Sequence, residues 1–363
     1  MSQDVIVIGG GIAGISAAAE LARSAKVTVI EAEPQLGYHA TGRSAAIFIR
    51  NYGNATLRAL NAAAYPALAG DLLGDSMLSP RGEVMLARDE DLPVLEDYLD
   101  GSTGIERLTA QQATELVPVL RTDQIAAAML EQDAQGIDVD RLLQGYARLL
   151  RARGGAIETG SRVTAITRDG SGWRVAAGGQ VFTAGIVVNA AGGWADQVAQ
   201  MAGVRPVGLV PKRRSAVIMA VPAGIDPDGW PLFGSIAETW YAKPEAGRLM
   251  ISPADEDPVE PGDIHADDMV LAEGLDRFSQ MVDLPLVRPS HSWAGMRSFV
   301  ADKTPVVGMD PDAPGFFWLA GQGGYGVQTS PALACLTAAL CLGEPPALAA
   351  DVVAALAPDR LHG

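Results

Sequence analysis

The chain is poor in cysteine and histidine. Its two cysteines, Cys335 and Cys341, stand six apart in an apolar segment that reads as helix. Helical rise would separate their α-carbons by about 9 Å along the axis, too far for a disulfide. The expectation is two buried thiols in a reducing compartment, which argues against a disulfide reductase. There are four histidines, His39, His265, His291 and His362, and no CxxC, HExxH or Asp-rich loop, so no motif supports a metal site. Positive charge is also short. Lys and Arg number 27 against 43 Asp and Glu, for a net charge of −16. Such a surface repels phosphate backbones and anionic membranes, so nucleic acid is a poor partner. It draws cationic small molecules, weakly at cellular salt. No apolar run is long enough to span a bilayer; the longest late one, Pro331 to Leu342, is stopped by "GEPP". The opening "MSQDVIVIGGG" has no basic n-region and no cleavage site, so a soluble, cytoplasmic protein is expected.

What is present is a large apolar fraction, 48% against 19% charged, enough for a substantial core. A length of 363 residues suggests two domains. Asp4–Ile8 and Lys26–Ile30 are β-branched runs flanking an Ala/Leu helix pattern over Ile12–Ser24, a βαβ unit. Asn54–Leu73 reads as helix, "PRGEVMLA" as a strand and Asp89–Leu99 as a helix. Asp138 or Asp140 can cap a helix running through Arg153. Ala156–Val188 alternates like a strand, a hairpin and another strand. Lys212–Val221 and Arg248–Ser252 read as strands of a second sheet, Asp255–Asp268 as an acidic loop, and Met269–Val282 as a helix. The end reads strand, Gly-rich turn, helix. The expected fold is α/β. A discontinuous Rossmann-like domain would comprise residues 1–53, 140–205 and 300–363. A second domain with a mixed or antiparallel sheet would comprise 54–139 and 206–299.

Gly9, Gly11 and Gly14 form GxGxxG between strand and helix, and Glu31 ends the second strand. The first glycine permits the turn, the second lets backbone approach a pyrophosphate, the third lets helix pack on strand, and the acid receives ribose hydroxyls. Strand, helix, strand and acid are all in place, which points to a dinucleotide. In a nicotinamide reductase a further βαβ unit would follow soon. Here a loop, Gly37–Gly53, follows instead, with Thr41 or Ser44 able to cap a helix aimed at the pyrophosphate region.

The stretches "GYHATGRSAA", "LVPVLR", "VNAAGGWAD", "AGVRPVGLVPKRRSA", "YAKPEAG", "SPADEDPVE", "WAGMRSFVAD" and "FFWLAGQGGYGVQTS" resemble the FAD-dependent D-amino-acid oxidase-type superfamily, and within it bacterial catabolic D-arginine dehydrogenase. The resemblance runs from the first strand to about position 332. It implies noncovalent FAD in contact with Gly9, Gly11, Ile12, Ala13, Gly14, Glu31 and Ala32. Further contacts would be Ala40, Thr41, Arg43, Ser44, Ala45 and Ala46, then Val163 and Gly192. Gly321, Gly323, Tyr325, Gly326, Val327 and Gln328 would lie beside the flavin, with the following helix aimed at the ring carbonyl that gains charge on reduction.

The same resemblance makes Arg297 the bidentate partner of a substrate carboxylate, a task suited to a planar guanidinium. Tyr52 and Tyr241 become hydroxyl donors beside it, Arg214 and Gly324 substrate-side neighbours, and Glu83 the partner of a distal positive charge. Ile47 and Ile49 stand where the D-arginine enzyme carries a histidine and a threonine. That makes a drier pocket without a side-chain base and favours apolar side chains or a secondary amine. The implied activity is oxidative deamination of a D-amino acid: hydride passes from the α-carbon to flavin, and the imino acid hydrolyses to 2-oxo acid and ammonia. The electron acceptor would be a quinone, another acceptor or oxygen. Alternatives are a glycine/sarcosine-type amine oxidase and a flavoprotein subunit of an electron-transfer complex.

Overall fold

The computed structural model describes residues 5–361. Asp4, the first residue of the expected opening strand, and His362 lie outside them. The fold is mixed α/β, as expected. One sheet has six strands in the spatial order Val306–Met309, Phe316–Ala320, Ile186–Asn189, Val5–Ile8, Val27–Ile30 and Ala156–Glu158. All neighbours are parallel except the pair Val306–Met309 and Phe316–Ala320. Its strands are apolar on both faces, as a parallel sheet covered on both sides requires. Helices Ile12–Leu21, Val139–Ala152 and Gly326–Leu342 share a core with one face, through Ile15, Leu143, Leu150 and Leu333. Ala17, Ala18 and Ala19 are fully buried there, small enough for helices to pack closely. The other face meets an antiparallel three-stranded sheet, Val163–Asp169, Gly172–Ala177 and Gln180–Ala184, whose Trp173 packs edge-on to Phe316.

A second large sheet has eight strands, in the order His291–Phe299, Val210–Ala220, Arg248–Ser252, Tyr241–Glu245, Leu232–Ser235, Glu83–Ala87, Ala127–Glu131 and Ile105–Leu108. It is antiparallel except where Leu232–Ser235 runs parallel to Glu83–Ala87. That pair joins a half built from residues 83–131 to a half built from 210–299. The helix Asp268–Met281 shares a core with this sheet, with Phe278 edge-on to Trp240 at 5.3 Å. Among the described residues no helix is long and apolar enough to cross a membrane.

Four local expectations are corrected. The helix expected over Asn54–Leu73 is regular only over Ala55–Pro66; a π turn, Ala67–Asp71, follows, because Gly70 takes φ +123 and breaks the helical ladder. Ala156–Val188 holds one strand more than expected, since "GG" at Gly178-Gly179 turns a third antiparallel strand back onto the hairpin. Cys341 is buried but Cys335 is exposed, because six residues do not return to the same face of a helix of about 3.6 residues per turn. Thr41 and Ser44 cap no helix of their own: only a 3-10 turn, Thr41–Arg43, forms there.

Candidate active site

A long cleft runs from the glycine fingerprint to the eight-stranded sheet, lined by residues of both large sheets. At the fingerprint end, Gly9 takes φ +114, and a Cβ there would fall 2.3 Å from the carbonyl oxygen of Ala190. A Cβ on Gly14 would fall 2.0 Å from the carbonyl oxygen of Gly9. Both glycines are therefore demanded by protein packing. Gly11 differs: its Cβ would meet only Thr41 Oγ1, at 3.3 Å, so the space before the helix N-terminus is open to a ligand. Thr41 reaches across from the loop and accepts the Ile12 N–H at 3.0 Å, capping the fingerprint helix rather than one of its own. Glu31 accepts the Gly10 N–H at 2.5 Å and the Glu33 N–H at 2.7 Å while facing the cleft. Each of its oxygens keeps a further lone pair for a ribose hydroxyl.

Two buried polar atoms on cleft-lining residues have no protein partner among the described residues: His39 Nδ1 and Gln322 Nε2. His39 is oriented by Glu33, 3.1 Å from Nε2, and by Trp194, its ring centroid 4.6 Å away. Buried polar groups are normally satisfied, so orphans along a glycine-floored cleft fit a polar ligand. At the far end the helix Gly326–Leu342 presents its N-terminus, with Gly326 and Val327 on the wall. A helix N-terminus there suits a ligand atom that gains negative charge. Open glycine backbone, an acid after the second strand, orphan polar atoms and this N-terminus together fit FAD.

The second sheet supplies the charged end. Arg297 faces Lys212 across the pairing of His291–Phe299 with Val210–Ala220, and Arg214 faces Gly295. The two arginines differ in occupation. Arg214 Nε donates to Asp255 O at 2.9 Å and Nη2 to Glu256 Oε1 at 3.1 Å. Arg297 has no carboxylate within salt-bridge range among the described residues, though burial opposes its charge. The hydroxyls of Tyr52 and Tyr241 and the carboxylates of Glu238 and Glu256 act on it and hold it protonated. A Cβ on Gly324 would lie 3.0 Å from Arg297 Nη1, so this glycine makes room for the guanidinium.

Burial raises the Tyr241 hydroxyl pKa, but Arg297, then Arg214, and hydrogen bonding to Ser252 and Arg214 outweigh it, and the net shift is downward. Tyr52 moves the other way: burial dominates and its pKa rises. Burial, then Glu238, lifts Tyr325 to about 12. Tyr52 and Tyr325 therefore stay neutral at physiological pH.

The cleft wall includes most of the expected residues: Gly9, Gly11, Ile12, Ala13, Glu31, Ala32, Ala40, Thr41, Arg43, Ser44, Ala45, Val163, Gly192, Gly323, Gly326 and Val327, with Arg214, Tyr241, Arg297 and Gly324. Nine others are not among the residues that line it. Gly14 packs under Gly9. Ala46, at φ +59, gives its carbonyl to Ile137 N–H. Gly321 turns the chain at φ +72. Tyr325 lies against Tyr52 and Phe299, at 4.9 and 6.3 Å between ring centroids. Gln328 is occupied by protein: its Oε1 accepts from Ile49 N, and its Nε2 donates to Ile49 O and Asn61 Oδ1. Ile47 pairs with Gly136 in a small sheet, and Ile49 is buried beside Gln328. Glu83 is 5% exposed, inside the eight-stranded sheet.

Sequence reading missed Glu131, Glu238, Asn51 and Asn61. Asn61 donates to the carbonyls of Ile49, Arg50 and Tyr52, so it holds the loop that carries Tyr52. Glu238 sits at φ +52 in the turn before Tyr241 and acts electrostatically on Arg297, Tyr52, Tyr325 and Glu83. Its only local signal was an acid in a short turn between two strands.

Residues 4–340 match the family described as FAD dependent oxidoreductase, and the chain belongs to it. It is 25% identical to FAD-dependent oxidoreductase domain-containing protein 1 of Bos taurus, over 94% of this chain and 81% of that one. In fold it is similar to glycine oxidase from Geobacillus kaustophilus, with TM-score 0.82 and 24% identity over 96% and 97% of the two chains. It is likewise similar to L-proline dehydrogenase from P. horikoshii, with TM-score 0.86 and 22% identity over 99% and 98%. FAD is therefore its cofactor, and the residues of the cleft fit it.

Proposed function

We propose that this FAD-dependent oxidoreductase deaminates D-amino acids oxidatively. The observation that carries the reading is Arg297: a half-buried guanidinium on the cleft wall, without a carboxylate partner among the described residues, at the end of the cleft where the helix Gly326–Leu342 begins. A partly desolvated cation is more stable when it is paired, and a substrate carboxylate is the partner that a planar fork fits best. Arg214 cannot serve equally, since Glu256 and Asp255 already hold it.

When bound, FAD supplies the two-electron acceptor for the α-hydrogen, which leaves as hydride. The chain's part is placement. Arg297 holds the carboxylate, Tyr241 donates a hydroxyl beside it, and Tyr52 closes from the loop behind. A carboxylate fixed at two oxygens leaves the α-carbon few orientations, and such positioning is the main catalytic contribution. The amine must be neutral for its lone pair to assist. Among the described residues His39 is the one histidine on the cleft wall, and it lies with Glu33, near Glu31, so the amine proton leaves to water rather than to a histidine. Glu83 would meet the charge of a D-Arg or D-Lys side chain, and Ile47 and Ile49 would favour apolar ones.

Anaerobic addition of D- and L-amino acids, glycine, sarcosine and 2-hydroxy acids tests the reading by loss of the oxidised flavin spectrum. D-amino acids should bleach it fastest. Bleaching by glycine or sarcosine alone would replace this reading with an amine oxidase of the glycine type. Full FAD occupancy with no bleaching by any of them would favour an electron-transfer subunit.

A further inference from the structure

Two carboxyl groups face each other inside the eight-stranded sheet, and the reading above uses only one. Glu83 and Glu131 are directly opposed on antiparallel neighbours. Their side chains therefore leave the same face, with Cβ atoms about 4.5–5.5 Å apart. Glu83 is 5% exposed and Glu131 1%. Two carboxylates that close and that dry do not both ionise readily; one retains a proton.

The surroundings decide which. Glu131 uses both oxygens as acceptors: Oε1 takes the Arg50 N–H and Oε2 an Asn51 Nδ2–H, each at 2.7 Å. Burial raises the Glu131 carboxyl above its ordinary range, and those bonds work against the rise by favouring the anion. Asn51 in turn is tied to Thr103 through both its amide atoms. Glu83 has none of this: its Oε2 is buried without a partner among the described residues. The groups acting on it are Glu131 from the neighbouring strand and Glu238 from the turn after Leu232–Ser235, both acidic. Tyr98, on the helix Leu92–Leu99, feels Glu83 and Glu131 together and is a neutral hydroxyl. Arg50 acts on Glu131, and Arg58 on Tyr98. Burial first, then Glu131, then Glu238 push the Glu83 carboxyl well above its ordinary range.

We propose that Glu83 and Glu131 form a one-proton pair, in which ionised Glu131 holds the 50–52 loop while Glu83 carries a proton that a cationic substrate side chain displaces to solvent. The proposal rests on the D-amino-acid reading and adds Glu131 as a specificity-determining residue. Charge balances. Before binding there is one anion and one neutral acid. Afterwards there are two anions and one ligand cation, so the buried total is unchanged and the proton goes to water. A neutral side chain leaves the proton in place, and no unpaired anion is buried beside it. One pocket can then accept both cationic and apolar side chains.

The test uses the FAD-loaded enzyme and two readouts. The first is the ratio of kcat/KM for D-Arg to that for D-Leu across pH, which cancels the α-amine ionisation common to both. In the parent it should rise about tenfold per pH unit below the Glu83 pKa, because each binding event releases one proton. Glu131→Gln removes the opposing charge and should move the rise to lower pH. Glu83→Gln should flatten it. A ratio independent of pH in the parent, or a rise that Glu131→Gln leaves in place, overturns the proposal. The second readout is the infrared carbonyl stretch of a protonated carboxylic acid at neutral pH. It should be present in the parent and lost in Glu83→Gln; its absence from the parent, or its survival in Glu83→Gln, also overturns the proposal. If neither amino acid reduces the flavin, the D-amino-acid reading falls, and the infrared band still decides where the proton sits. If Glu131→Gln does not fold, the parent slope and Glu83→Gln are sufficient.

Discussion

The two ends of the cleft are built on different chemistry. At the fingerprint end the protein presents backbone: Gly9, Gly11, the N-terminus of Ile12–Leu21, and amides already gathered by Glu31 and Thr41. At the sheet end it presents side chains whose charges are set by one another: Arg297, Arg214, Tyr241, Glu256 and Glu238. Backbone is positioned by the fold as a whole, so the first end should fail through stability and cofactor retention. Side-chain charges are positioned by neighbours, so the second should fail through catalysis while the fold survives.

The sharpest contrast should come from Arg297→Met. It should cost at least about 3 kcal/mol in kcat/KM, the scale of a lost buried charge pair, with the flavin spectrum intact. Steady-state kinetics beside an absorbance spectrum check it, and a variant within tenfold of the parent removes Arg297 from the clamp. At the other end, Gly14→Ala drives a methyl to 2.0 Å from the Gly9 carbonyl oxygen. Overpacking of that kind costs about 1–3 kcal/mol, so its unfolding midpoint and FAD content should fall together. Unchanged thermal stability would break the comparison.

A smaller effect concerns pH. Glu83 has a raised pKa in the folded chain, so folding binds its proton, and stability falls as pH rises from the unfolded toward the folded value. Glu83→Gln should lose this slope, gaining on the parent as pH rises; melting curves across pH would show the gap. A gap that instead widens toward acid pH would mean that Glu83 is ionised and partnered. Smallest of all, His39→Phe removes one polar atom toward the cofactor and should weaken FAD binding by about 1 kcal/mol, a few-fold in Kd. Acid precipitation of the parent should leave yellow colour in the supernatant. Colour held in the pellet would mean a covalent bond, with His39 as the first residue to examine.

The same division governs what could be read from the residues. The fingerprint end was legible because its geometry is local: a strand, a turn, a helix and an acid follow within about thirty residues, as a βαβ unit allows. Arg297 and Tyr241 were reached through resemblance, and nothing in either stretch alone distinguishes a clamp from a salt bridge. Glu131 was invisible, because its meaning depends on facing Glu83 across a strand pair 48 positions apart in sequence. Thr41 was assigned a capping role correctly in kind but to the wrong helix, since its partner, Ile12, lies 29 residues back. Gln328, expected beside the flavin, ties its side chain to Ile49 and Asn61, a long-range pairing that periodicity does not encode.

The order of strands in the six-stranded sheet also bears on how the chain is made. Val5–Ile8 is made before the other described strands, yet one of its neighbours, Ile186–Asn189, comes far behind it, and Phe316–Ala320, which pairs beside that strand, later again. The helix Gly326–Leu342, which shares a core with Ile12–Leu21, comes later still. Until those segments are made the fingerprint is therefore a βαβ fragment with one edge and one helix face uncovered, a state in which chains aggregate or recruit chaperones. Nascent chains stalled before residue 316 should be protease-sensitive over Val5–Ile30 and unable to retain FAD, whereas chains extended beyond residue 342 should gain protease resistance and FAD retention in one step.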